Sequence, residues 1–237
     1  GWLQMMTMAG ILGGLSLGGP WFDAGFGRLG NPWQAAAQPV WWLFGISLAA
    51  LAAGGLMQPT PTHARPPFHP SLFWQHFPQL RETLAERGLR RACLGVAVYW
   101  LIGSMVAAML IDIGLFLHPD PGQGGAATVA SRLTFMIGVG TALGSLLVAA
   151  VSRRGLQLGI VPLGALGMAM TLGLAGLLPA GTGGFDWNLA LLGIASACYL
   201  VPLQAVIQDR AEAGKRGRVL ASMNLLDSLA GVVAVGF

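Results

Sequence analysis

Charged side chains are scarce in this sequence: Asp, Glu, Lys and Arg make up 9% of the 237 residues, whereas hydrophobic residues make up 54%. A soluble globular domain carries about 25% charged residues. This composition excludes an ordinary water-soluble fold and favours a membrane protein. The formal net charge of +4 does not predict nucleic-acid binding, because the basic residues lie between apolar runs and do not form one stripe.

Cysteine and lysine are nearly absent as well. Cys93 and Cys198 lie inside apolar runs without metal-ligand spacing, which predicts neither a disulfide nor a metal site. The four histidines fall in loops, again without such spacing, so the sequence predicts no cofactor. The only lysine, Lys215, lies in a polar loop, which excludes a buried retinal Schiff base.

Long apolar runs fill most of the chain. A spanning helix needs about 20 mostly apolar residues, and closed β-barrels would show alternating polarity instead. Seven runs meet the helical criterion, and they predict an all-α polytopic membrane bundle. Lettered in order, they are a (Trp2–Phe22), b (Val40–Met57), c (Ala92–Leu117), d (Leu133–Val151), e (Leu156–Leu178), f (Trp187–Val206) and g (Val219–Phe237).

The basic residues between the spans predict an orientation. The connections after a, c and e hold two of the thirteen Lys and Arg residues, and those after b, d and f hold eleven. Positive loops stay on the cytoplasmic side of a membrane. The residue 1 side and loops 58–91, 152–155 and 207–218 are therefore predicted to be cytoplasmic.

The longest connection, 58–91, begins with a Pro- and His-rich stretch. Phe73, Phe77, Leu80 and Leu84 then recur at helical spacing beside several arginines. This pattern predicts either a surface helix on the anionic inner leaflet or a solvated linker between two bundles.

Small residues and prolines mark two further features of the spans. Glycines at four-residue spacing in helices a and d predict close contacts with neighbouring helices. Pro162 in e and Pro202 in f are candidate kinks. The glycines are Gly10, Gly14, Gly18, Gly140 and Gly144.

Two carboxylates lie within the spans. Asp112 falls about 30 Å along helix c, near the outer interface, and Asp227 falls about 12 Å into helix g. Asn224 and Ser228 share a face with Asp227. We interpret these four residues as candidates for a substrate path, since intramembrane carboxylates are costly to keep. For Asp227, an interhelical hydrogen bond remains the alternative, and for Asp112 the alternative is a solvated carboxylate.

An enzymatic function is not predicted. Gly14-Leu15-Ser16-Leu17-Gly18 matches a Gly-x-Ser-x-Gly nucleophile pattern. That motif requires a strand-to-helix turn, whereas here it lies inside a predicted spanning helix.

The order of spans and loops resembles helices 5 to 11 of the major facilitator superfamily, in which two six-helix halves are joined by a cytoplasmic linker. The resemblance implies that 1–57 closes the first half, that 58–91 is the linker, and that 92–237 opens the second half. The chain lacks a first methionine and stops at Phe237 inside an apolar run, so we expect a fragment of a longer protein.

Short motifs add to this resemblance. Residues 148–155 are similar to the family's loop motif but keep only its basic and glycine part, since Val148 and Ser152 replace a Gly and an Asp. Gly18-Gly19-Pro20 resembles an element of exporters. Runs 156–168, 201–208 and 216–224 resemble the lysophospholipid transporter branch. The implied gating-loop residues are Arg153, Arg154, Gly155, Arg216 and Arg218.

The resemblance implies a secondary carrier in a bacterial inner (plasma) membrane, which moves lysophospholipid or another amphiphile by alternating access. Its partners would be membrane lipids, the amphiphilic substrate and a fused or neighbouring acyltransferase. Two alternatives remain open: a drug or siderophore exporter of the same superfamily, and a membrane anchor for a fused acyltransferase or acyl-carrier-protein synthetase.

Overall fold

The computed structural model describes residues 2–56, 76–118, 125–152, 155, 157–211 and 216–236; side chains are described from Gly10 onward, except at positions 76, 216 and 235. These ranges contain helices and no strands. In chain order the helices are α1 (Trp2–Leu29), α2 (Pro32–Gly55), α3 (His76–Ala85), α4 (Arg87–Leu117), α5 (Ala126–Val151), α6 (Ile160–Ala175), α7 (Gly183–Arg210) and α8 (Arg216–Val235).

Four of these helices, α2, α4, α5 and α7, are long and apolar enough to cross a membrane. They correspond to predicted spans b, c, d and f. The shorter apolar helix α6 corresponds to span e, α1 contains span a, and α8 contains span g as far as Val235. The fold is therefore that of an all-α polytopic membrane protein. The count of seven crossings stays a prediction.

Most helices begin before the predicted spans, because capping residues and interfacial polar groups extend them past the apolar run. The predicted start of span b at Val40 was wrong: α2 begins at Pro32. Asn31 caps it, since its Oδ1 accepts hydrogen bonds from the backbone N–H groups of Trp33 (2.9 Å) and Gln34 (3.4 Å). Proline at the first helical position needs no N–H partner.

Span e was predicted too long. α6 begins at Ile160 and ends at Ala175, so the helix has 16 residues. Pro162 lies in its first turn, where a missing N–H breaks no helical hydrogen bond. The predicted kink at Pro162 is therefore not required by the backbone.

Helix α7 is the centre of the bundle, with most of its buried residues packed between α5, α6 and α4. Its crossing with α5 depends on reciprocal glycines. A methyl group on Gly193 would meet the carbonyl oxygen of Ile137, and one on Gly140 would meet that of Ala190. A methyl group on Gly144 would lie 2.7 Å from the Ile194 oxygen. The prediction that helix d uses its glycines for packing is confirmed.

The equivalent prediction for helix a was wrong. A methyl group built on Gly10, Gly14 or Gly18 meets no described atom within 4 Å. The neighbouring Gly19 makes the contact instead, because its Cβ would collide with the Ala127 carbonyl oxygen of α5. The four-residue spacing therefore does not identify the face of α1 that packs against a neighbouring helix.

Helix α3 packs against protein. Thr83 is buried, and Leu84 packs on a cluster that includes Leu89 of α4 and Met223 of α8. The face toward α4 and α8 is thus a tertiary contact, which neither the leaflet nor the free-linker hypothesis anticipated. Phe73 lies outside the described residues, and Phe77 is exposed.

Candidate functional site

Ser131 of α5 joins α1 at the turn before Pro20. Its hydroxyl donates to the carbonyl oxygen of Leu15 and accepts from the N–H of Gly19 at 3.2 Å. These two backbone groups are four residues apart, the spacing of an ordinary helical hydrogen bond. The hydroxyl therefore bridges the ladder of α1 where proline has removed the next donor, and it ties the two helices together.

We expect Ser131→Ala to lower the free energy of unfolding by about 1 kcal/mol, the size of an interhelical hydrogen bond in a membrane protein. The loss leaves the Leu15 carbonyl and the Gly19 N–H without the bridging hydroxyl. The midpoint of unfolding in dodecyl sulfate, followed by circular dichroism, measures the effect. Ser145→Ala is the matched control, because within the described part of the chain the Ser145 hydroxyl bonds to Thr141 of its own helix and to no other helix. Equal midpoints for both variants would contradict the bridge.

Asp23, one turn further along α1, caps the N-terminus of α5. Its Oδ2 accepts hydrogen bonds from the backbone N–H of Thr128 at 2.7 Å and from the Thr128 hydroxyl at 2.6 Å. Gly125, the residue before α5, offers no side chain for this purpose. The carboxylate thus comes from another helix and meets the positive end of the α5 dipole.

A cleft of about 750 Å³ lies between α1 and α4, with α5 as its floor. We call it the α1–α4 cleft. Its walls are apolar: Ile111 and Leu115 of α4 are more than half exposed and face open space. Gly14 and Gly18 line the opposite wall, which explains why they contact no helix. Cavities of 300–1,000 Å³ accommodate small organic ligands.

The titratable groups of the cleft lie toward one end. Asp23 and His118 line this mouth together with the rings of Phe22 and Phe26, whose centroids are 6.3 Å apart in a stacked pair. Among the lining residues, Asp23 alone carries a formal charge when histidine is neutral. The cleft therefore has one polar end and a long apolar wall.

A second cavity of about 280 Å³ adjoins the cleft, between α4, α5, α6 and α7. Thr134 lines both cavities. Tyr99, Ser104, Thr134 and Ser196 supply the hydroxyl groups of the second cavity. Polar groups thus recur from the mouth of the cleft into the interior of the bundle.

Two tyrosines connect α4 and α7 beside the second cavity. The Tyr199 hydroxyl donates to the Gly95 carbonyl oxygen at 3.1 Å. The rings of Tyr99 and Tyr199 stack with centroids 6.5 Å apart. These two contacts join α4 to α7 beside the face of α4 that carries Tyr99 and Ser104.

The predicted path residues on α8 do not line either cavity. Asp227 is partly buried and lies near the Cys93 thiol of α4, whereas Asn224 and Ser228 are exposed. The Ser228 hydroxyl donates to the Asn224 carbonyl within α8, at 2.7 Å. One turn beyond Asp227, Gly231 lies near the Ser104 hydroxyl of the second cavity. Asp227 is therefore adjacent to the cavity and outside its lining.

The remaining predicted site residues are dispersed. Asp112 is exposed on α4 and does not line the cleft. Arg153 and Arg154 lie outside the described residues, and Gly155 follows in a turn with φ of +137°, a conformation that favours glycine. Arg216 begins α8, and its side chain is outside the described part.

Arg218 lies in a small polar pocket at the end of the bundle where α3, α4, α7 and α8 meet. Arg210, Glu82 and Glu86 line the same pocket. At the opposite end, the Nε of Arg132 is 3.5 Å from Oδ2 of Asp186. The two ends thus each carry charges, and the larger basic group is at the end predicted to be cytoplasmic.

Sequence reasoning missed Asp23 and Ser131. Asp23 was placed in a loop, because the apolar run of span a ends at Phe22. Ser131 precedes the predicted start of span d at Leu133. The sequence offered one signal, which is that each residue lies within two positions of the end of a predicted span. That the end of α1 packs against the start of α5 is shown only by the tertiary structure.

Among the described residues, no three His, Cys, Asp or Glu side chains are grouped to hold a metal ion. No protein-family model, no curated protein and no solved structure matches the chain. The class that the fold defines is an all-α polytopic membrane protein.

Proposed function

We propose that this protein is a secondary transporter of the major facilitator type, which moves lysophospholipid or another amphiphile by alternating access. The observation that carries the proposal is the α1–α4 cleft. Its lining is mostly apolar, and its one formally charged side chain, Asp23, lies at the mouth, so the cleft matches the two parts of an amphiphile. The scarcity of charge along its walls suits an apolar chain.

The position of the cleft supports a carrier. The resemblance assigns α1 to the first half of the bundle and α4 and α5 to the second. The cleft then lies between the two halves, where alternating access exposes a site to each side in turn. The joint of α1 with α5 at Gly19 and Ser131 would be the contact about which the halves move.

The second cavity supports a continuation of the path. Its hydroxyl groups face the space between α4 and α7 without adding a charge. A head group moving inward would exchange hydrogen bonds with these groups as it leaves the mouth.

The proposal is tested with the full-length protein in proteoliposomes. Labelled lysophospholipid is placed in one leaflet, and its appearance in the other is measured by extraction with albumin. We expect movement well above that of protein-free vesicles. If the lipid stays in place while a cationic dye is expelled, the exporter alternative replaces the lipid carrier. If neither moves, the protein is an anchor and the proposal is wrong.

A further inference from the structure

The mouth of the α1–α4 cleft combines a carboxylate with two aromatic rings, and we propose that it binds the ammonium head group of a single-chain amphiphile. The inference rests on the proposed transport function and deepens it by naming the charge of the head group and the residues that receive it. It assigns the head group to Asp23, Phe22 and Phe26, and the chain to the glycine wall of α1.

The charge balance at the mouth favours a cation. Among the described residues, Asp23 forms no ion pair with a basic side chain, and His118 at the same mouth adds no formal charge when it is neutral. Both hydrogen bonds from Thr128 go to its Oδ2, so neither of them occupies Oδ1. The α5 dipole supplies a positive end of about half a charge. A net negative potential therefore remains beside an apolar wall.

The aromatic rings add selectivity for an organic cation. Phe22 and Phe26 stand one helical turn apart and line the mouth together with Asp23. A ring face attracts a quaternary or primary ammonium by about 0.5–2 kcal/mol, depending on how far the pair is desolvated. A metal ion would instead need several oxygen ligands. The described residues offer no such cluster.

The wall below the mouth suits an extended apolar chain. From Asp23 to Gly14 the helix rises about 14 Å. Over this length the lining consists of small or aliphatic residues, including Gly18, Ala127 and Ala130. A head group at Asp23 then lies at the predicted outer interface while its chain stays in the hydrocarbon. This is the orientation that an amphiphile already has in a bilayer.

The test measures binding of radiolabelled decyltrimethylammonium and decyl sulfate to the full-length protein in nanodiscs of uncharged lipid, with empty discs subtracted. The two probes share one chain and differ in head-group charge. We expect the ammonium probe to bind about tenfold more tightly, the equivalent of one favourable charge contact. Equal affinities would overturn the proposal.

Two variants locate the contacts. Asp23→Asn keeps an oxygen acceptor for Thr128 but removes the charge, so it should weaken ammonium binding about tenfold and leave sulfate binding unchanged or tighter. Gly14→Leu fills the cleft and should weaken both probes. Gly10→Leu is its control, because Gly10 has the same open surroundings but does not line the cleft. Unfolding midpoints verify that the variants fold.

Unchanged ammonium affinity in a folded Asp23→Asn variant would overturn the site. The binding assay does not depend on transport. Selective ammonium binding in a protein that moves no lipid would leave the site intact and reject the carrier function. Lipid movement without head-group selectivity would reject the site and leave the carrier function intact.

Discussion

Gly193→Val is expected to lower the free energy of unfolding by about 3 kcal/mol or more, the upper range for an overpacked core. The added Cβ would collide with the Ile137 carbonyl oxygen and lie 2.7 Å from the Thr141 backbone nitrogen. Both are backbone atoms of α5, so no side-chain rotation relieves the contact. The two helices must separate, and α7 also packs against α4 and α6.

The unfolding midpoint in dodecyl sulfate and the yield of monodisperse protein measure this effect. Gly173→Val of α6 is the matched control, because a methyl group there meets no described atom within 4 Å. The control should unfold near the wild-type midpoint. A Gly193→Val protein with the wild-type midpoint would show that α5 and α7 do not cross at these glycines.

Asp227→Ala is expected to reduce the initial rate of lipid movement at least about tenfold while the protein stays folded. An intramembrane carboxylate without a basic partner is costly, and function is the usual reason for keeping one. Among the described residues, Asp227 forms no ion pair. Its carboxylate makes no hydrogen bond in the described structure whose loss would separate α8 from α4, so the fold should tolerate alanine.

The proteoliposome assay, with midpoints measured in parallel, checks this prediction. Asp227→Asn keeps hydrogen-bonding capacity and removes the charge, so it separates the two properties. Asp209→Ala is the control, since Asp209 is an exposed carboxylate near the end of α7. Undiminished movement by a folded Asp227→Ala protein would reject a role for this residue in transport, as the anchor hypothesis predicts.

The helical fold could be predicted because each apolar run indicates a helix independently of the rest of the chain. An uninterrupted apolar segment has no stable backbone structure in a bilayer other than a helix, unless strands close into a barrel. Hydropathy is less informative about helix ends. The Asn31 cap and the first turn of α5 at Ala126 lie among polar or small residues that an apolar window excludes.

Glycine spacing was likewise an incomplete guide to which helix faces pack together. Spacing placed Gly140 and Gly144 on a contact face, and the structure confirms it. The same spacing placed Gly14 and Gly18 on a contact face, and the structure opens them to the cleft while Gly19 packs. A small residue permits the close approach of a second helix, but it does not determine whether a second helix packs there.

The sequence by itself determined the class of fold, because apolar length and scarce charge are local properties of the chain. It also singled out Asp227, in predicted span g, as a candidate for a functional carboxylate. Only the tertiary structure decided that Asp23 caps α5, that Ser131 bridges the backbone of α1, and that a cleft lies between α1 and α4. Each of these joins residues about a hundred positions apart. No local pattern encodes such a pairing, since it depends on how whole helices pack.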